Sequence, residues 1–257
     1  MQYDLTRPNT GRMFDYFLGG THNFEIDRRF ADQVDKQFPV LHQQLMVERA
    51  NLKSIIQSYY DQGIRAIVDF GSGLPTCGNT HLAAHAIDPA IKVIYCDIDP
   101  VTAAYGQEIL LGVNNTIFLQ GDVSAPLNIL DAPEARALLA DNRQVGFNYL
   151  MLGHLLTDEQ LHQSWQDIYQ WAAPQSYMTV TLASTAWETD SYLVKITESY
   201  RRANISSYYR SPVDLEAFIP PWKLTPAGIR DGVICQVPHG DVMTSVALSN
   251  TMLLYKA

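Results

Sequence analysis

Val68-Asp69-Phe70-Gly71-Ser72-Gly73-Leu74-Pro75-Thr76 is the stretch that decides the fold. An apolar run ends in an acid, turns through Gly71 and Gly73, and reaches Pro75 and Thr76, which suit the approach to a helix. An α/β sheet presents a small ligand in this way at the C-terminal end of its first strand. Glycines let the backbone approach the ligand, and the helix end offers free N–H donors. Two ligands meet that requirement: the pyrophosphate of a dinucleotide and the amino-acid end of S-adenosylmethionine (SAM).

Spacing separates them. A nicotinamide-dinucleotide loop needs glycine at its first, third and sixth positions. Here the sixth position is Thr76, and Gly78 comes too late. Asp69 also fits poorly beside a pyrophosphate, because like charges repel, and well beside the ammonium of a methionine moiety. SAM is the favoured ligand, held by Asp69, Gly71, Ser72 and Gly73.

Outward from the loop, the chain alternates regularly. Strands are predicted over Ala66–Phe70, Lys92–Cys96, Thr116–Gln120, Phe147–Leu152 and Tyr177–Leu182, with helices between them. Asp99-Pro100 reads as a helix cap followed by proline at the first helical position, and Thr157 with Gln160 as a capping box. Such repetition implies parallel strands with right-handed crossovers. Beyond Ser184, helices near Ser191–Ala203 and Pro212–Phe218 precede strands near Val233–Val237 and Ser249–Tyr255, read as an antiparallel C-terminal pair. Before the first strand, Ile26, Phe30, Val34 and Phe38, then Leu41, Leu45, Leu52, Ile55, Ile56 and Tyr59, mark amphipathic helices. The whole predicts one domain, residues 1–257. It comprises an N-terminal helical lid (1–62), a SAM-binding βαβ core (63–184) and C-terminal helices with a strand pair (185–257). The fold class is α/β, a doubly wound, mostly parallel seven-stranded sheet with an antiparallel C-terminal strand.

Ligands lie outside the C-terminal strand ends of such sheets. After strand two, Asp97 is placed to accept both ribose hydroxyls, with Ile98 beside it and Asp99 already used as a cap. After strand three, Asp122 is placed to accept from the adenine amino group while the Val123 backbone meets a ring nitrogen. His154 follows strand four, where the reacting methyl points. It is the candidate catalytic base, its alternative role being to shape the pocket or satisfy a turn.

The chain has 257 residues, 47% of them hydrophobic, and a net charge of -9. That charge argues against a general nucleic-acid or anionic-membrane binder. Arg201, Arg202 and Arg210 form a local basic group or a solvated helix face. Cys77, Cys96 and Cys235 are odd in number and widely spaced, which predicts neither a disulfide framework nor a metal site. With no signal-peptide core and no long apolar run, the expected location is the cytoplasm.

Three passages carry a more specific resemblance: Phe14-Asp15-Tyr16-Phe17-Leu18-Gly19-Gly20-Thr21-His22-Asn23-Phe24, Asp69-Phe70-Gly71-Ser72-Gly73-Leu74-Pro75-Thr76 and Tyr95-Cys96-Asp97-Ile98-Asp99-Pro100. With weaker echoes at Leu152-Gly153-His154 and Tyr200-Arg201-Arg202-Ala203, the chain resembles the SAM-dependent methyltransferases of the "S-adenosyl methyltransferase" family, formerly a domain of unknown function. The resemblance implies the class I, Rossmann-like methyltransferase fold and a SAM site at Gly71, Gly73, Asp97 and Asp122. It also implies a lid containing Tyr16, Gly19, Gly20 and Asn23. Many relatives carry Lys where this chain has Thr21. The expected activity is O- or N-methylation of a small molecule, with a non-catalytic SAM-binding protein or sensor as the alternative.

Overall fold

The computed structural model describes residues 6–76 and 78–257; Cys77 lies outside them. Three helices come first: α1 (Thr10–Phe17), α2 (Glu25–Gln37) and α3 (Val40–Asp61). The alternating core follows as β1 (Ala66–Phe70), α4 (Thr80–Ile87), β2 (Lys92–Asp97), α5 (Pro100–Ile109), β3 (Thr116–Gln120), α6 (Leu127–Leu130), α7 (Pro133–Leu139), β4 (Gly146–Leu150), α8 (Asp158–Trp171) and β5 (Tyr177–Ala183). The remainder holds α9 (Ala186–Thr189), α10 (Leu193–Arg202), α11 (Pro212–Glu216), β6 (Lys223–Leu224), β7 (Arg230–Asp231), β8 (Ile234–His239), β9 (Val242–Ala247) and β10 (Ser249–Tyr255).

The main sheet runs β3-β2-β1-β4-β5-β10-β6, with β7 also paired to β10. Strands β1 to β5 are parallel. β10 inserts antiparallel beside β5, from Ser249 opposite Ala183 to Tyr255 opposite Tyr177. The sheet is therefore mostly parallel and doubly wound with an antiparallel C-terminal strand, as the βαβ alternation implies. It counts eight strands rather than seven, because two of them, β6 and β7, are two-residue edge pieces.

The expected C-terminal strand pair is corrected. β8 pairs with β9, not with β10, in a separate hairpin turning at Gly240, whose φ is +63°. The sequence gives little sign of β9, because its residues Val242 to Ser245 are all exposed and show no inward-outward alternation. β4 also stops at Leu150, two residues early. Met151 turns to φ +50°, and its N–H donates to the Thr181 hydroxyl at 2.9 Å.

Local chemistry explains the helix ends. Asn9 caps α1 by accepting from Arg12 N, Asp99 caps α5 by accepting from Thr102 N, and Thr157 with Gln160 closes the capping box of α8. The sheet is covered on both faces. Val68, Phe70, Phe147 and Tyr149 pack against Trp165 and Ile168 of α8, while Ile67, Val93 and Tyr95 pack against Ile56 and Tyr59 of α3. A third apolar cluster joins α1, α2 and α3 to α9, α10 and the β8–β9 hairpin. That third cluster roofs the C-terminal strand ends.

Tyr59 ties α3 to the sheet. Its buried hydroxyl donates to the Phe147 carbonyl at 2.6 Å and accepts from Thr179 N at 2.8 Å. Tyr59→Phe leaves two buried backbone groups short of a partner, so it is expected to lower unfolding free energy by about 1–3 kcal/mol. Urea denaturation followed by circular dichroism measures this. An unchanged midpoint would show that the hydroxyl adds nothing to the α3 contact.

Candidate active site

A cavity of about 340 Å³ opens at the C-terminal ends of β1 to β5, roofed by α1, α3 and the α9–α10 segment. The glycine loop forms its floor. Gly71 and Gly73 hold φ of +57° and +61°, the left-handed region where a side chain is strained. A Cβ on Gly71 would also fall 2.6 Å from Leu152 Cδ1. Ser72 N donates to the Cys96 carbonyl at 3.0 Å, which ties the loop to β2.

Asp97 is fixed at the end of β2. One carboxylate oxygen accepts from Gly73 N and the other from Asp99 N, each at 3.0 Å. Burial pushes its pKa up against those bonds. The Ile98 N–H also favours the charged form, and of the carboxylate's roughly four lone-pair sites part stays open to a ligand. Beside it, Ile98 is 61% exposed at the cavity wall, and Val123 is buried opposite after β3. Asp122 is exposed and closes its own turn by accepting from Ser124 N at 2.8 Å.

Asp69 lines the cavity from β1 and accepts from the Thr80 hydroxyl. Burial pushes its carboxyl up to about 6, opposed by bonds from Thr80 and Asn148 and by the charge of Arg49. Arg49, on α3, lines the same wall and makes no salt bridge among the described residues. Gln44 and Glu48 stand on the same helix and also line the cavity. All three were missed from sequence. The available signal was Leu41-x3-Leu45-x2-Glu48-x3-Leu52, which puts a carboxylate in the apolar stripe of α3.

His154 sits in a 3-10 turn (Gly153–Leu155) and lines the cavity. Its Nδ1 lies 3.5 Å from Ala183 N. Burial first, and the nearby Arg210 second, push its pKa down to about 4, so the imidazole is neutral near pH 7. Arg210 is itself buried, bonded to the Gly153 and Leu156 carbonyls and to Asp158. It braces the turn and forms no surface patch with Arg201 and Arg202.

Four predicted lid residues do not line the cavity; they stand behind it. Tyr16 donates to Asp32 at 2.7 Å, and Asn23 donates to Asp15 at 2.8 Å. Gly19 turns at φ +79°, and a Cβ on Gly20 would fall 2.0 Å from Asp15 Oδ1. Thr21 is exposed. Asn23 and Gly20 hold Asp15, which also accepts from His22 N and the Thr76 hydroxyl and so fastens the lid to the glycine loop, while Tyr16 ties α1 to α2 through Asp32. The cavity-lining residues of α1 and its cap are Asn9, Thr10, Gly11, Phe14 and Asp15, and α3 adds Leu41, Leu45 and Leu52 to Gln44, Glu48 and Arg49. Among the aromatic residues of this region, Phe14, Trp187, Tyr200 and Tyr209 line the cavity, while Phe17, Phe24 and Tyr192 do not.

Strand order, the parallel core with its antiparallel insert, and a cavity floored by the glycine loop and a strand-two acid define a class I methyltransferase fold. The profile of the S-adenosyl methyltransferase family matches residues 1–235, and the chain belongs to that family. It is a SAM-dependent methyltransferase. A Thermobifida fusca structure classed among the methyltransferases is 26% identical over 98% of this chain and 96% of its own, with a TM-score of 0.85. A DUF574 family protein from Streptomyces avermitilis is 22% identical over 100% of both chains, with a TM-score of 0.83. A SAM-dependent methyltransferase from Anabaena variabilis shares the fold at 11% identity, TM-score 0.51, over 98% of this chain and 97% of its own. No curated protein matches the sequence. Family membership sets aside the dinucleotide as the ligand of the glycine loop. Among the described residues, no helix is long and apolar enough to cross a membrane.

The depressed pKa of His154 has a linkage sign. Its folded value, about 4, lies below the ordinary 6.5. The unfolded chain therefore binds the proton first, and stability falls as pH drops through that window. Nuclear magnetic resonance of the ring protons should show no titration of His154 between about pH 6 and pH 8. A midpoint near the ordinary value would contradict the buried, neutral assignment.

Proposed function

We propose that the cavity binds SAM along the strand ends and transfers its methyl group to oxygen or nitrogen of a small-molecule acceptor. The observation that carries this reading is the Asp97 carboxylate, locked between Gly73 N and Asp99 N with lone pairs to spare, in the wall of a cavity floored by glycines. SAM is electrophilic when bound, because its sulfonium activates the methyl, so the chain's work is to position and desolvate the reactants.

Each residue then has a part. Asp97 accepts the ribose hydroxyls. Ile98 and Val123 offer apolar faces to the adenine, and Asp122 has a free oxygen for its amino group. Gly71, Ser72 and Gly73 bring backbone close to the methionine end. Asp69 takes the ammonium, and Arg49, without an ion pair of its own, takes the carboxylate. The cost of ionising buried Asp69 fits this, since an arriving cation offsets it. Tyr16, Gly19, Gly20 and Asn23 act indirectly, by holding Asp15 and the lid in place. His154 is best read as a wall of the pocket, because an imidazole whose conjugate acid has a pKa of about 4 is a poor proton acceptor.

Calorimetry with SAM and S-adenosylhomocysteine tests the reading. Asp97→Ala and Arg49→Ala are each expected to weaken S-adenosylhomocysteine by about 1–3 kcal/mol, roughly tenfold to a hundredfold, with the fold retained. Wild-type protein that binds neither compound at millimolar concentration would overturn it.

A further inference from the structure

We propose that the acceptor is an amine with an apolar body, recognised by Glu48 and Gln44 of α3. This inference rests on the SAM reading and names the substrate class of that same site. Gln44 and Glu48 are one helical turn apart, on one face of α3, and both line the cavity.

The polar atoms available there are acceptors. Gln44 is fully buried; its Nε2 is turned onto Met151 Sδ at 3.6 Å, and its Oε1 has no partner. Among the described residues, Glu48 receives only hydroxyls, from Ser249 at 3.0 Å and from Thr181. It has no salt bridge among the described residues. The charged groups lining the cavity are Asp15, Glu48, Asp69, Asp97, Asp122 and Arg49. Asp15 is consumed by the lid, Asp69 with Arg49 match the two charges of a methionine end, and Asp97 faces a ribose. Glu48 is left as a half-buried carboxylate with no cation. An unpaired carbonyl beside an uncompensated carboxylate calls for a ligand that donates and carries positive charge. An ammonium supplies both; an alcohol or phenol supplies one donor and no charge. The walls nearby, Phe14, Leu41, Leu45, Trp187 and Tyr200, are apolar and aromatic, which fits an acceptor with a hydrocarbon or aryl body.

The chemistry balances. The acceptor ammonium gives a proton to the Glu48 carboxylate, which burial makes more basic than an ordinary one. The freed nitrogen lone pair then bonds to the methyl carbon of the donor, while the carbon–sulfur bond breaks with its electron pair going to sulfur. The product leaves as a methylated ammonium beside a neutral thioether, and Glu48 returns its proton to solvent.

The test uses the whole protein saturated with S-adenosylhomocysteine, titrated calorimetrically with matched pairs: phenethylamine against phenethyl alcohol, and tryptamine against tryptophol. Each amine is expected to bind about tenfold tighter than its alcohol. In Glu48→Gln that preference should vanish, with alcohol and S-adenosylhomocysteine affinities unchanged. The variant keeps an oxygen for Ser249 and loses a desolvated charge, so its melting temperature should equal or exceed that of the wild type. Gln44→Leu is a second variant, expected to weaken amines alone. Amines that bind no tighter than alcohols, no amine binding at millimolar concentration, or a preference surviving Glu48→Gln would each overturn the proposal. Failure to bind S-adenosylhomocysteine would instead overturn the SAM reading beneath it.

Discussion

The lid over the cavity is anchored by one buried cation. Arg12, 1% exposed on the first helix, pairs with Asp27 of α2 at 2.8 Å and with Asp99 at 2.9 Å. Asp99 is also the cap of α5, accepting from the N–H and hydroxyl of Thr102. Asp27, fully buried, further accepts from Asn9 N and Phe24 N. One guanidinium thus joins the cap of α1, the start of α2 and the strand-two end where the donor site begins. Removing one partner of such a set leaves an uncompensated buried charge, at a cost of about 3–5 kcal/mol. The lid is therefore an integral wall rather than a loose appendage.

From this clamp the division of labour follows. Asp15 links the lid to Thr76 of the glycine loop, so the roof and the floor of the site share a hydrogen-bond network. The floor of the cavity is backbone and carboxylate held by the parallel strands. Its facing wall is α3, α9 and α10, packed through an apolar cluster with Leu41, Leu45 and Trp187. In the proposed reading, rigid strand ends set where the methyl group lies and the helices set what can approach it. Burial pushes the Asp69 carboxyl up to about 6, a cost that the proposed ammonium beside it would offset.

The glycine loop and the acid after β2 were legible in the sequence as cavity-lining residues, and the α3 face of the cavity was not. Gly71, Gly73 and Asp97 are readable because a strand–turn–helix junction fixes where backbone and the next strand's acid must lie. β1, β3 and β10 have the extents expected, and the runs of β1 and β3 end at Gly71 and Gly121. The β8–β9 hairpin was misread because β9 is solvent-facing and carries no burial pattern. Tyr16, Gly19, Gly20 and Asn23 form part of a distinctive passage, but resemblance marks a constrained segment without saying what it touches. Here Gly20 and Asn23 support Asp15, and Tyr16 bonds Asp32 of α2. Gln44, Glu48 and Arg49 were hidden in a long amphipathic helix, where a polar residue reads as solvent-facing until the packing shows otherwise.

The central claim is that the Asp97 wall holds the donor's ribose and the α3 face holds the acceptor. A crystal structure with S-adenosylhomocysteine bound tests it most directly. The ribose hydroxyls are expected on the Asp97 carboxylate, the homocysteine ammonium and carboxylate at Asp69 and Arg49, and the sulfur turned towards Glu48. A ribose placed away from Asp97, or a sulfur directed away from α3, would contradict the account.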